Sequence, residues 1–168
     1  MIVVMGVAGC GKTSVAEALA RRIGGEWIDA DAYHPEANVA KMSAGIPLTD
    51  ADRAGWLATL AQLLRDRAGS GRPTVLACSA LKEAYRRVLR VSPDVRFLYL
   101  RGSFEVIEAR MKARVDHFMK PGLLESQFRT LEEPACGPGT DAWAADVTQS
   151  IETIVDQAVD YFGLRRPT

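Results

Sequence analysis

Gly6-Val7-Ala8-Gly9-Cys10-Gly11-Lys12-Thr13 decides how the rest of this chain is read. It fills every position of the phosphate-cradling pattern G-x-x-x-x-G-K-[ST]. Glycines let successive backbone N–H groups turn toward one anion. The helix expected over Thr13 to Ile23 presents its positive end to the same anion. Lys12 can reach the β- and γ-phosphates of a nucleoside triphosphate, and the Thr13 hydroxyl can ligate Mg2+. The candidate ATP-binding residues are therefore Gly6, Val7, Ala8, Gly9, Cys10, Gly11, Lys12, Thr13 and Ser14. Lys12 is also a candidate catalytic residue. Cys10 reads as a small residue that fits the loop; the alternative is a thiol activated by the helix N-terminus.

Working outward, Ile2-Val3-Val4-Met5 is a short continuous apolar run bounded by glycine, the pattern of a buried parallel strand. Val15, Ala18, Leu19 and Ile23 recur at helical spacing before Gly24-Gly25. Trp27-Ile28 leads into Asp29-Ala30-Asp31, read as a second strand with carboxylates at its end. Residues 34–48 are mixed, punctuated by Pro35, Gly45 and Pro47. Thr49 with Asp52 forms a capping-box pattern for a long helix that turns Trp56, Leu57, Leu60, Leu63 and Leu64 inward. Thr74 to Cys78 reads as a third strand, followed by a helix from about Lys82 to Leu89. Val95 to Leu100 reads as a fourth strand, followed by a helix through Val106, Ile107 and Met111. Residues 113–140 are polar and irregular, a fifth strand is placed at Asp146 to Thr148, and a last helix carries Ile151, Ile154, Val155, Ala158, Val159 and Phe162 on one stripe. The alternation specifies an α/β domain with a parallel sheet, whose strand ends line one ligand-binding edge.

The chain has 168 residues, enough for one domain, and is 48% hydrophobic and 25% charged, which suits a packed core. Lys plus Arg and Asp plus Glu both number 21, so no basic footprint for nucleic acid is expected. The apolar start is too short for a secretory leader, and no run is long enough for a membrane span. Three cysteines without zinc spacing suit a reduced, cytoplasmic protein.

The third and fourth strands end in Ser79 and Arg101, not in an acidic residue. The metal-associated carboxylate is therefore sought at Asp29 and Asp31, which share one face if the strand is regular. Asp29 is the candidate for Mg2+ through water, and Asp31 for orienting or deprotonating an attacking hydroxyl. The alternative is that one or both cap the next segment. A GTPase would need a guanine-reading Asn-Lys-x-Asp segment, and a motor-type ATPase a glutamate beside a strand-end acid; neither is found.

Further segments resemble one family. They are Asp31-Ala32-Tyr33-His34-Pro35 with Asn38, Lys41 to Leu48, Asp50, Asp52-Arg53 and Trp56-Leu57. Later come Cys78-Ser79-Ala80-Leu81-Lys82, Tyr85-Arg86, His117-Phe118-Met119, Ser126-Gln127-Phe128 and Leu131-Glu132. Together, over about residues 2–134, they resemble the gluconokinase family of short P-loop kinases. The resemblance implies transfer of phosphate from ATP, with Mg2+, to the 6-hydroxyl of D-gluconate. It implies the three-layer P-loop NTPase fold shared with shikimate kinases: five parallel strands in the order 2-3-1-4-5 with helices on both faces. It further implies one domain over 1–168, a substrate region at about 34–60, a lid at about 112–133 and, often in such kinases, a homodimer. A shikimate kinase would instead carry a Gly-Gly-Gly turn where this chain has Cys78-Ser79-Ala80. A binding module without turnover would not need Asp31.

Gluconate is a polyol carboxylate, so its site needs a cation and hydrogen-bonding groups. Arg53 is the leading candidate because its planar fork suits bidentate binding. His34, Lys82 and Arg86 are further substrate-binding candidates, together with Asp31. Arg110 and Arg114 share a helix face leading to the lid. Arg114 is the candidate arginine finger, with Arg110 placed with ATP. By resemblance, His117 and Gln127 are candidate gluconate contacts.

Overall fold

The computed structural model describes residues 1–113 and 122–164. In chain order the elements are β1 (Ile2–Met5), α1 (Lys12–Arg22), β2 (Glu26–Asp29), a 3-10 turn (Ala30–Tyr33), α2 (Glu36–Ser43), α3 (Asp50–Ala68) and β3 (Thr74–Ala77). They continue with α4 (Glu83–Leu89), β4 (Arg96–Arg101), α5 (Phe104–Ala113), α6 (Leu123–Thr130), β5 (Ala142–Asp146) and α7 (Ile151–Tyr161).

The five strands form one parallel sheet in the order β2-β3-β1-β4-β5. This is the order the resemblance implied. β1 is central, with Ile2 opposite Val75 on one side and Arg96 on the other. All four of its residues are buried, as expected of a strand covered on both faces. On α3 the inward stripe of Trp56, Leu57, Leu60, Ala61 and Leu64 is buried, and α3 packs against α4. α1 packs against β2, β3 and α7. The expected capping box at α3 is present in both halves: Thr49 Oγ1 accepts from Asp52 N–H at 3.1 Å, and Asp52 Oδ2 accepts from Thr49 N–H at 2.8 Å.

Several boundaries differ from the expectation. β2 stops at Asp29, and Ala30–Tyr33 turns into a 3-10 helix capped by Asp29. Asp29 and Asp31 are therefore not a strand pair. β5 lies earlier than expected, at Ala142–Asp146; the stretch taken for it is a turn in which Asp146 Oδ1 accepts from Thr148 N–H at 2.8 Å. α2 arises in the mixed stretch 34–48 and α6 in the irregular stretch 113–140. Both are eight-residue helices, too short for propensity alone to hold them and dependent on packing. Ile151 of the predicted stripe is 43% exposed at the first position of α7.

Because every strand is parallel, all five carboxyl ends fall on one edge. Met5 opens there into the glycine loop, Asp29 into the 3-10 turn, and Ala77 into the loop that leads to α4. The site is built on this edge.

Candidate active site

The glycine loop wraps tightly around Cys10. Gly6 has φ 143°, and a Cβ there would sit 2.8 Å from Cys10 Sγ and 3.0 Å from the Leu100 carbonyl. Gly11 has φ 102° and open space where its Cβ would be, which is the room a phosphate needs for close approach to backbone. Val7 and Cys10 are buried and form the frame of the loop. Burial pushes the Cys10 thiol above its ordinary value, outweighing the opposing pull of Lys12. This favours the packing role for Cys10 over the reactive thiol. Lys12 Nζ donates to the carbonyls of Gly6 at 3.1 Å and Val7 at 2.9 Å. Ala8 N–H donates to Gln127 Oε1 at 2.7 Å, so α6 lies over the loop although 119 residues separate the two positions.

Opposite the loop stands the carboxylate corner. Asp29 Oδ1 accepts from Asp31 N–H at 2.9 Å, which aims the two side chains differently. The Asp31 side chain is 73% exposed, toward the cavity, whereas that of His34 is 4% exposed. The His34 ring stacks on Trp56 with centroids 4.1 Å apart and planes 15° from parallel. Trp56 in turn donates from Nε1 to Ala30 O at 2.8 Å, so one side chain supports both the ring and the turn bearing Asp31. Burial lowers the His34 pKa, with Arg53 acting in the same direction and Asp31 and Asp29 opposing. His34 is therefore neutral at physiological pH.

The third wall carries one cation, Arg53, with a polar network behind it. Arg53 donates to Leu48 O at 2.6 Å and to Tyr85 Oη at 3.2 Å, and lies 5.4 Å from the Tyr85 ring centroid. Tyr85 donates to Asp50, which also holds Lys82 at 2.9 Å. The Tyr85 hydroxyl and Lys82 hold the Asp50 carboxyl below its usual range. Lys41 pairs with Asp52 at 2.8 Å and, with the Thr49 cap, holds its pKa at about 2.

These walls enclose a cavity of about 800 Å³ lined by residues that include Lys12, Thr13, Asp29, Asp31, His34 and Arg53. Its size suits a nucleotide with a small polyol. Thr13 and Asp29 contribute oxygen donors, the kind a hard divalent cation takes.

A family model described as an AAA domain matches residues 1–134. The thermoresistant gluconokinase of Escherichia coli (strain K12) is 40% identical over 159 residues, covering 94% of this chain and 90% of that protein. The chain belongs to the gluconokinase family. The gluconokinase of Gluconobacter oxydans (strain 621H) is 49% identical over 134 residues, 79% of this chain and 75% of that one. The crystal structure of a gluconokinase from Sinorhizobium meliloti 1021 superposes with a TM-score of 0.85 at 45% identity, covering 96% of this chain and 90% of that chain.

Against the expectations for a gluconokinase, the structure gathers Ala8, Gly9, Gly11, Lys12, Thr13, Ser14, Asp29, Asp31, His34, Arg53 and Gln127 on one cavity. Two expected substrate cations are not among them. Lys82 is held by Asp50 outside the cavity wall. Arg86 is 1% exposed and donates to Ala80 O at 2.9 Å, Leu81 O at 3.2 Å and Glu83. It braces the turn in which Ala80 takes φ 44°, the one positive-φ residue other than glycine among those described. Arg86 is thereby corrected from a substrate ligand to a support of the wall, while Lys82 is engaged by Asp50 beside it. Arg110 donates to Val147 O, bridging α5 to the segment after β5. Arg114 and His117 lie outside the described residues. Trp56, expected on the inward stripe of α3, is buried and also lines the cavity. Asn38, part of the resemblance, is a buried polar residue behind His34. No helical spacing marks the pair, because α2 begins at Glu36 and His34 precedes it; tertiary packing sets the contact.

Proposed function

We propose that this chain transfers the γ-phosphoryl group of ATP to the 6-hydroxyl of D-gluconate, giving 6-phosphogluconate and ADP. The carrying observation is that the phosphate loop, a carboxylate corner and an arginine share one cavity. The family relatives named gluconokinase support the choice of acceptor.

The loop amides and Lys12 hold the β- and γ-phosphates, with Lys12 exchanging its carbonyl partners for phosphate oxygens. Thr13 and Asp29 would hold Mg2+, which would supply neutralising charge to the phosphate oxygens. Arg53, fixed by Leu48 and Tyr85, presents its free edge to the gluconate carboxylate or a chain hydroxyl. Asp31 accepts the proton of the attacking hydroxyl as the new O–P bond forms and the bond from the γ-phosphorus to the ADP oxygen breaks. Residues 112–133 act as the lid, with Arg114 on the transferring group and His117 and Gln127 over substrate. Closure excludes water, which would otherwise accept the phosphoryl group. Three free cysteines support a reducing, cytoplasmic setting. A homodimer rests on the family resemblance and is checked by sedimentation.

The deciding experiment measures ADP release from ATP and Mg2+ with D-gluconate, shikimate, AMP or no acceptor. Gluconate-dependent release with phosphogluconate as product is expected. Release with another acceptor overturns the substrate and keeps the kinase; no release with any acceptor overturns the reading as an enzyme.

A further inference from the structure

Asn38 is 3% exposed and sits on α2 between the site and the first turn of α3. Its side-chain nitrogen donates to the backbone carbonyl of Asp52 at 2.8 Å. A carbonyl can only accept, so this contact decides which way the amide points: the oxygen cannot take the place of the nitrogen. The same nitrogen lies 3.3 Å from His34 Nδ1. Its second hydrogen therefore meets that ring nitrogen, which must present a lone pair. In a neutral imidazole the proton then resides on Nε2. A proton on Nδ1 would set N–H against NH2, so the cationic ring is disfavoured as well. The groups facing His34 are Asp31 and Asp29 from the 3-10 turn and its cap, Arg53 and Trp56 from α3, and Asn38 from α2.

His34 Nε2 lies 3.8 Å from Asp31 Oδ1. That is too long for a direct hydrogen bond, but a hydroxyl oxygen about 2.8 Å from each closes the triangle. Such an oxygen has one hydrogen and two lone pairs. Its hydrogen goes to Asp31, one lone pair accepts from Nε2–H, and the other is left facing the phosphorus.

We propose that Asn38 is a positioning residue that fixes His34 as the Nε2–H tautomer, making His34 the donor that orients the acceptor hydroxyl against Asp31. The proposal rests on the reading of Asp31 as the base. A ring of the opposite tautomer would turn a lone pair toward both Asp31 and the hydroxyl, and the oxygen would lose its alignment.

The test is the nitrogen spectrum of the full chain labelled with ¹⁵N-histidine. The chain has two histidines, and His117→Gln leaves the His34 signals alone. Without ligand at pH 7.5, Nδ1 is expected as the unprotonated nitrogen and Nε2 as the protonated one. In Asn38→Asp a carboxylate faces Nδ1, and the proton moves there. At pH 9 that variant is expected to lose about tenfold in kcat with gluconate, while the KM for ATP changes by less than about twofold. A protonated Nδ1 in the unsubstituted chain overturns the proposal, as does an unchanged kcat in Asn38→Asp. The first measurement needs no change at Asn38, so a variant that fails to fold leaves it decisive. If Asp31→Ala retains transfer, the reading of the base fails whatever the tautomer. If that variant is inactive and the tautomer is reversed, only the role of Asn38 falls.

Discussion

Asp31 and Asp29 differ in environment although two residues apart. Asp29 spends one oxygen on the N–H of Asp31, while the Asp31 side chain is open to the cavity. Asp31→Asn keeps the shape and removes the proposed proton acceptor, so it should lower kcat by about 10²–10⁴-fold while ATP affinity stays within about twofold. Single-turnover kinetics beside nucleotide titration checks this. The cysteines separate in the same local way. Burial raises all three thiols, that of Cys78 to about 12. Cys10 and Cys78 are buried, and Cys136 is half-buried. A thiol reagent at neutral pH should label Cys136 first and reach Cys10 and Cys78 only on unfolding, which mass spectrometry of the labelled protein reads directly. Chain order suggests none of this ranking for the cysteines, since exposure is set by what packs over each one.

At the scale of elements, the start of α3 shows a rule read correctly from sequence. The Thr49–Asp52 box needs only residues three apart, and both of its hydrogen bonds form. The added Lys41 pair comes from α2 and was not legible. Because the Asp52 pKa falls from 3.8 to about 2 on folding, its contribution is fully present above the ordinary value. It disappears as pH falls from about 4 toward 2. Thermal unfolding of the protein and of Asp52→Asn should therefore differ at pH 6 and converge toward pH 2. The β3–α4 turn shows the reverse case. Arg86 looked like a substrate cation because it follows a strand end, yet it is the brace of a turn. Arg86→Met leaves the Ala80 and Leu81 carbonyls without a donor in a dry setting and should cost about 2–4 kcal/mol of stability. Denaturant unfolding checks this cost, and the KM for gluconate of the folded fraction should not rise in proportion.

For the whole molecule, the cavity joins the glycine loop with β2, β3, α1, α2, α3, α5 and α6, so filling it should stabilise the entire fold. At 100 times its Kd, a bound nucleotide should add about 2.7 kcal/mol by mass action, seen as a rise in Tm with ATP and Mg2+ that Lys12→Ala abolishes. What the sequence determined by itself was whatever is contiguous or periodic: eight residues of phosphate loop, the apolar runs of β1, β3 and β4, and the capping box. In each, the backbone geometry depends on near neighbours, so residue types in order are sufficient. The identity of the acceptor, too, was legible in the succession of family-like segments. Only the tertiary structure decided which of several similar cations faces the cavity. Arg53 and Arg86 are alike in chemistry and opposite in environment. It also decided that Gln127 reaches Ala8 and that Asn38 joins His34 to α3. Those outcomes depend on burial and on partners up to 119 residues away, and these are properties of the packed chain that no local pattern encodes.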